Sequence, residues 1–275
     1  MSFNPVQVVF HVPPLGSNDA RLRALLQALE AQLPGAKLTW RAESSGVPSS
    51  DDEERWMSGA GVRLVRLADR DRWLADQFQQ GLDVLLYSGP PRPGVCVSVA
   101  PLTSVTVRSG QAVGTVVLWL PEDTLQGDVL AQLLAASGDA LGAWCAAFTP
   151  LAAAGMLLQV QLVPPGRVSP GRQRLIESNP ALEALPTLRP GLRALPAAEV
   201  PPSIGWINYW SADTARWLGF PDEARDGEWI ARSIRTPSGG WVLRLTEQPF
   251  DVNRLDHVQA LVRAYQRFNR IVSSS

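Results

Sequence analysis

The sequence predicts a mixed α+β protein made of two related sheet-plus-helix units, with mainly antiparallel strands, packed as one body. Short β-branched runs recur between turn residues, apolar stripes at helical spacing interleave with them, and a proline-dense stretch divides two parts in which a strand–helix–strand order repeats. The expected boundaries are an N-terminal unit over residues 1–163, a proline-rich connector over 164–203 and a C-terminal unit over 204–275.

Residues 6–12 form a β-branched run, and Ser17 or Asn18 stands ready to cap a helix whose face is Leu22, Leu25, Leu26, Leu29 and Leu33. Pro34 and Gly35 stop it, and residues 37–41 alternate as a second strand. Residues 44–54 turn to Ser, Gly, Pro and acid and end in Asp51, Asp52, Glu53 and Glu54, which predicts an exposed loop. A short strand follows over 63–67, then a helix over 69–80 packed through Trp73, Leu74 and Phe78. Strands are expected over 84–87, 95–99, 104–108 and 113–120, separated by turn residues, and a long helix over 122–148 with acids at its start.

Residues 164–203 hold nine of the 23 prolines, a spacing expected to leave no regular helix or central strand and to make a stiff surface connector. Beyond it, residues 205–210 alternate as a strand, Ser211 caps a short helix with Asp213 in its first turn, and Gly219 and Pro221 end it. Residues 228–235 and 241–246 read as a hairpin turning at Pro237, Ser238, Gly239 and Gly240. A terminal helix carries Leu255, Val258, Leu261, Val262, Tyr265 and Phe268 on one stripe.

With 275 residues and 45% hydrophobic content, the chain can bury a core without disulfides or a structural metal. Its two cysteines, Cys96 and Cys145, lie in apolar stretches where a thiol packs as a small hydrophobe. The first residues lack a basic and apolar leader, so a cytoplasmic location is expected. The uncharged stretch over 140–166 is long enough to span a bilayer as one helix, yet Thr149 and Pro150 interrupt it, so two buried elements meeting there and no membrane contact are expected. A net charge of −1 excludes a generally basic nucleic-acid binder. The balance is 11 basic against 15 acidic residues over 1–150, and 14 against 11 over 151–275.

Chemistry-bearing motifs are sparse. The single lysine, Lys37, does not sit in a phosphate-binding loop, and Gly59 and Gly61 lack the third glycine of a dinucleotide fingerprint, so no cofactor is expected. His11, His257, Cys96 and Cys145 are scattered, and no compact acidic motif falls at a strand end, so no metal is expected. No Gly-x-Ser-x-Gly elbow accompanies either histidine. The chain is therefore expected not to be an enzyme and to have no catalytic residues.

What stands out is tryptophan, present ten times, with Trp206, Trp210, Trp217, Trp229 and Trp241 crowded near the C-terminus. Trp206 and Trp241 are expected in the core, whereas Trp210 and Trp217, at the ends of a strand and a helix, are the candidate partner-binding anchors. Asp51, Asp52, Glu53 and Glu54 are candidate partner-binding residues by charge. Asn208 and Arg244, polar within predicted strands, require partners if buried, in this chain or another.

Three C-terminal motifs carry a resemblance. Gly205-Trp206-Ile207-Asn208-Tyr209-Trp210-Ser211, Leu218-Gly219-Phe220-Pro221 and Gly239-Gly240-Trp241-Val242-Leu243-Arg244-Leu245-Thr246 together resemble a family of bacterial immunity proteins that accompany polymorphic toxins with restriction-endonuclease-like nuclease domains, and a closely similar family of unknown function. The strand over 6–12, Pro34 and Gly35, and residues 144–150 are also similar to that group. The resemblance implies a cytosolic protein that binds a cognate toxin and blocks it without catalysis. A non-inhibitory adaptor or scaffold of a secretion system, and a hydrolase recruiting His11 or His257, are the alternative classes.

Overall fold

Residues 6–16, 19–33, 35–44, 62–80, 82–88, 95–105, 112–120, 126–162, 169–188 and 200–273 are described by the computed structural model. The β-branched run at the start becomes β1 (Val6–Val12), a central strand that pairs with β6 (Ala112–Leu120) on one side and with β7 (Cys145–Phe148) on the other. Around it lie β2 (Trp40–Ser44), β3 (Val62–Arg66), β4 (Val84–Tyr87), β5 (Cys96–Val105), β8 (Ile207–Trp210), β9 (Ile234–Arg235) and β10 (Trp241–Arg244). Among the described residues these form one ten-stranded sheet in the order β3-β2-β4-β5-β6-β1-β7-β8-β10-β9. Every pairing is antiparallel, so the protein is α+β as its patterning predicts.

The helices sort by face. Val8, Phe10 and Val12 of β1 are fully buried, in one core with the leucines of α1 (Ala20–Gln32) and α3 (Gly127–Leu141). Phe78 and Leu74 of α2 (Arg70–Gln79) join that core. Gly138 of α3 lies against Tyr209 so closely that an added Cβ would sit 2.5 Å from the ring. On the opposite face of the C-terminal strands, Trp210 meets Phe220, which follows α6 (Ala212–Leu218), at 5.6 Å and Phe268, which caps α8 (Leu255–Arg267), at 4.9 Å, both edge-on. Trp229 of α7 (Glu223–Ile230) stacks on Phe268 at 5.5 Å.

Ion pairing locks these helices together. The side chain of Asp226 is fully buried and accepts from Arg267 Nε at 2.8 Å, while Arg267 Nη2 donates to the Gly219 carbonyl at 2.6 Å. One guanidinium thus joins the end of α6, the middle of α7 and the end of α8.

Several elements differ from the expectation. The cap of α1 is Asp19, whose carboxylate accepts from the Arg21 N–H at 2.9 Å; Ser17, Asn18 and Pro34 lie outside the described residues. The two strands expected over 95–99 and 104–108 are one strand, β5, with a register shift between Ala100 and Ser104. The helix expected over 122–148 covers only Gly127–Leu141, because Gly142 takes a left-handed conformation (φ 55°) and ends it. The apolar residues after it then form β7. The uncharged stretch is therefore a helix end, a strand and α4 (Leu151–Gln161) in succession. No helix among the described residues is long and apolar enough to cross a membrane.

The proline stretch does hold a helix, α5 (Pro170–Ser178), followed by a 3-10 turn (Pro180–Ala184). Both begin with proline at the first position, where the missing N–H has no intrahelical role, and Ser169 and Asn179 cap them. The residues expected as a strand over 228–235 are divided between α7 and the two-residue β9, because Asp222 caps a helix with Glu223 and Asp226 in its first turn. A last helix, α9, spans Arg270–Ser273.

Trp206 is 1% exposed, tilted against Phe148 at 5.9 Å, with Nε1 donating to the Thr246 carbonyl at 2.9 Å. Trp206→Ala removes that ring from a packed core, and chemical denaturation should show a loss of about 3–5 kcal/mol.

Candidate partner-binding face

Side chains alternate across a strand, so the residues of β1 not turned toward α1 and α3 share the opposite face with their cross-strand neighbours. The register places them in rows. One row runs Trp40, Tyr87, Cys96, Trp119 and Gln7 across β2, β4, β5, β6 and β1. The next joins Leu85, through the backbone register of β5, to Val117, Val9 and Ala147, and a third joins Thr115, His11, Cys145, Trp210 and Trp241.

Toward β8 and β10 these rows pass beneath α6 and α8. Toward β4 they do not. Tyr87 and Cys96 form a cluster separate from the main core, and the apolar side chains packed against it among the described residues are Trp40 and Trp119, both strand residues. Leu85 is 40% exposed, and Val9, Val117, Trp40, Trp119 and Ala147 are each partly exposed. Among the described residues, no apolar helical side chain packs against this Tyr87–Cys96 cluster. Antiparallel sheets commonly leave one face to water, but that face is then polar. Here Trp40, Leu85, Val117 and Trp119 share the face with Gln7, Thr115 and, opposite Trp40, the exposed Arg66, a mixture of large apolar and polar groups found on surfaces that receive a partner.

The groups able to do chemistry on this face are muted by burial. Burial pushes the Cys96 thiol up to about 12, outweighing the stabilising hydrogen bond from Tyr87, so it stays protonated and weakly nucleophilic. The Tyr87 hydroxyl is likewise raised, mainly by burial. His11 is 9% exposed, and burial lowers its imidazole from 6.5 to about 4, keeping it neutral. Its Nδ1 is buried without a hydrogen-bond partner among the described residues. His11 lines a pocket of about 210 Å³ together with Val9, Cys145, Ala146, Ala147, Pro201, Pro202 and Ser203. His257 of α8 is also buried; its Nδ1 accepts from the Asp251 N–H at 3.1 Å and its ring faces Phe250 at 5.9 Å. Burial is the main cause that lowers its pKa too. Among the described residues no group of three His, Cys, Asp or Glu side chains is placed to hold a metal ion.

The residues singled out by sequence fare differently. Trp210 is fully buried in the ring cluster beneath α6 and α8, so it presents no surface to a partner; its place at a strand end concealed that helices close over that end. Trp217 keeps partial exposure, with the Arg270 guanidinium over its ring at 5.7 Å. Asp51, Asp52, Glu53 and Glu54 lie outside the described residues. Asn208 is satisfied internally: its amide donates to the Gly205 carbonyl at 2.9 Å and accepts from the Gly205 N–H at 2.8 Å. Arg244 pairs with Asp128 at 2.6 Å. The open face itself was not foreseen, although the apolar residues on both sides of the strand over 113–120 were its signal.

Comparison with known proteins follows this geometry. A family model described as a domain of unknown function, DUF5953, matches residues 17–274, and the chain belongs to that family. No curated protein matches. Among solved structures, the chain is similar to the Pseudomonas aeruginosa T6SS protein PA0821, with a TM-score of 0.52 and 15% identity over 96% of this chain and 73% of that one, a likeness of fold.

The His11 shift has a stability consequence. The unfolded chain takes up this proton near pH 6.5 and the folded chain only near 4, so native stability falls as pH drops through that window and is unaffected above it. The shift corresponds to about 3 kcal/mol. Denaturation at stepped pH should show that the native chain loses more stability between pH 6.5 and 4 than His11→Leu does, by up to that amount; parallel curves would refute the assignment.

Proposed function

We propose that this protein acts by binding another protein through the open sheet face of β2, β4, β5, β6 and β1, and that it is an immunity protein neutralising a cognate bacterial toxin, a nuclease domain, without catalysis of its own. The observation that carries the reading is the row in which Trp40 and Trp119, both partly exposed, flank the buried Tyr87 and Cys96 on a rigid sheet. Aromatic side chains on preorganised backbone are the usual anchors of protein interfaces, because they contribute large contact area with little entropy to lose. The C-terminal motif resemblance supports the immunity reading, and the fold shared with a T6SS protein supports a secretion-system context. That context also favours one rival, a non-inhibitory adaptor. The two part company on rescue: an immunity protein suppresses the lethality of the toxin encoded beside it, and an adaptor does not.

A nuclease surface receives phosphates and is usually basic, so acidic residues on its inhibitor accelerate encounter. Asp51, Asp52, Glu53 and Glu54 supply such charge in the sequence.

Co-expression with the neighbouring gene product is the first measurement, with cell survival as readout. Val117→Arg and Trp119→Ala, made separately, should each weaken the complex by at least about 30-fold while the melting temperature shows the chain still folded. Unchanged affinity in both, in a complex that otherwise forms, would place the interface elsewhere. Replacing the four acids with serine should slow association and flatten its salt dependence, leaving dissociation nearly unchanged; stopped-flow rates at two ionic strengths decide this.

A further inference from the structure

An open sheet ends in two edges, and each must be blunted, covered or paired. The two edges here are unlike. At one, β9 is two residues long and the chain around it is tied in: Arg232 Nη2 donates to the Leu245 carbonyl at 2.9 Å, and the Thr236 N–H to the Gly240 carbonyl at 2.9 Å. At the other, β3 runs for five residues, and among the described residues no strand pairs with its outer side.

The register decides which backbone groups that side presents. The Leu67 N–H donates to the Thr39 carbonyl at 2.8 Å, one position beyond the ladder in which Trp40 faces Arg66. Hydrogen-bonded and non-bonded pairs alternate along an antiparallel ladder. Val65 with Arg41, and Arg63 with Glu43, are therefore the bonded pairs, and Arg66, Leu64 and Val62 belong to the non-bonded ones. The N–H and C=O groups of Val62, Leu64 and Arg66 thus point away from β2, in the spacing that an extended segment needs in order to add a strand.

Charge selects the segment. β3 carries two arginines and no acid, so a second copy laid against it would gather two from each chain, four in all, on one short ladder, which like-charge repulsion opposes. Arg66 is exposed and, among the described residues, makes no ion pair. It stands across from Trp40, on the open face of the sheet. A carboxylate on an added strand, opposite Arg66, meets that charge and extends the same face.

We propose that β3 is a strand-addition site, where an extended acidic segment of the protein partner pairs with the backbone of Val62, Leu64 and Arg66 and sets a carboxylate against the Arg66 guanidinium. That the segment belongs to a protein partner rests on the binding reading above; the free edge and its preference for negative charge do not.

The probe is a short end-blocked peptide of alternating valine and glutamate, compared with the same peptide carrying lysine in place of glutamate, with amide hydrogen exchange on the full chain as readout. In the free chain the Leu64 and Arg66 amides should exchange at least about tenfold faster than that of Val65, which is bonded to β2. The acidic peptide should slow both by at least about tenfold at saturation, and bind roughly three- to tenfold tighter than the lysine peptide. Leu64→Pro removes an outward N–H and no bond to β2, as edge strands tolerate, so it should abolish binding in a folded chain. Arg66→Glu, at an exposed position, should invert the preference toward the lysine peptide. Leu64 and Arg66 amides as protected as Val65 in the free chain, no saturable protection by the acidic peptide, or a glutamate preference that survives Arg66→Glu would overturn the proposal. With a captured partner, affinity lost in Leu64→Pro and Arg66→Glu but untouched by Val117→Arg and Trp119→Ala supports strand addition and moves the interface off the open face. Affinity lost in Val117→Arg and Trp119→Ala alone overturns strand addition and leaves the open-face reading standing.

Discussion

The four residues of β7 hold the structure together. Cys145, Ala146, Ala147 and Phe148 pair on one edge with β1 and on the other with β8, so among the described residues the strand ladder passes from the N-terminal strands to the C-terminal ones through this short segment. Backbone groups buried in a sheet interior must be paired, and β7 satisfies both neighbours at once. The Trp144 N–H donates to the His11 carbonyl and the Trp144 carbonyl accepts from the Ser211 N–H and the Thr214 hydroxyl, extending the seam past the strand end. At the other end, the space beside Phe148 is so close that a Cβ on Gly205 would lie 2.5 Å from the Phe148 carbonyl oxygen, which only glycine tolerates.

From that seam the asymmetry of the molecule follows. The helices α1, α2 and α3 cover one face of the N-terminal strands, and α3 continues over β8 and β10, its Asp139 accepting from Tyr209, Thr236 and Ser238. On the opposite face the C-terminal helices lie over β8 and β10. The rows of side chains cross the seam without interruption, so the same register that buries Trp210 leaves Val9, Val117, Trp119 and Trp241 partly bare. The pocket at His11 lies where the covering stops.

Much of the fold was legible because it is local. The leucine stripe of α1, the cap and left-handed glycine around α6, and the alternation of β4 and β6 follow from periodicity and turn chemistry within each segment. The misreadings share a cause: each needed knowledge of what lies alongside. An apolar run after Gly142 suits either a helix or a strand, and became β7 because two strand edges were waiting for it. Pro170 and Pro180 look like breakers until their position at a helix start is known. The site was less legible still, since Trp210 and Trp119 are the same residue type near strand ends, and nothing within either segment says which is covered.

The sequence by itself determined the α+β class, the antiparallel strand chemistry, most helix caps and the C-terminal motifs that pack the aromatic core, because these depend on residues a few positions apart. Only the tertiary structure decided that one sheet runs through both halves, that Trp210 is buried while Trp40 and Trp119 stay accessible, and that His11 opens into a pocket with Pro201 and Ser203. Those outcomes depend on contacts between segments far apart in the chain, and which face a distant helix covers is set by the whole packing, not by the strand it covers.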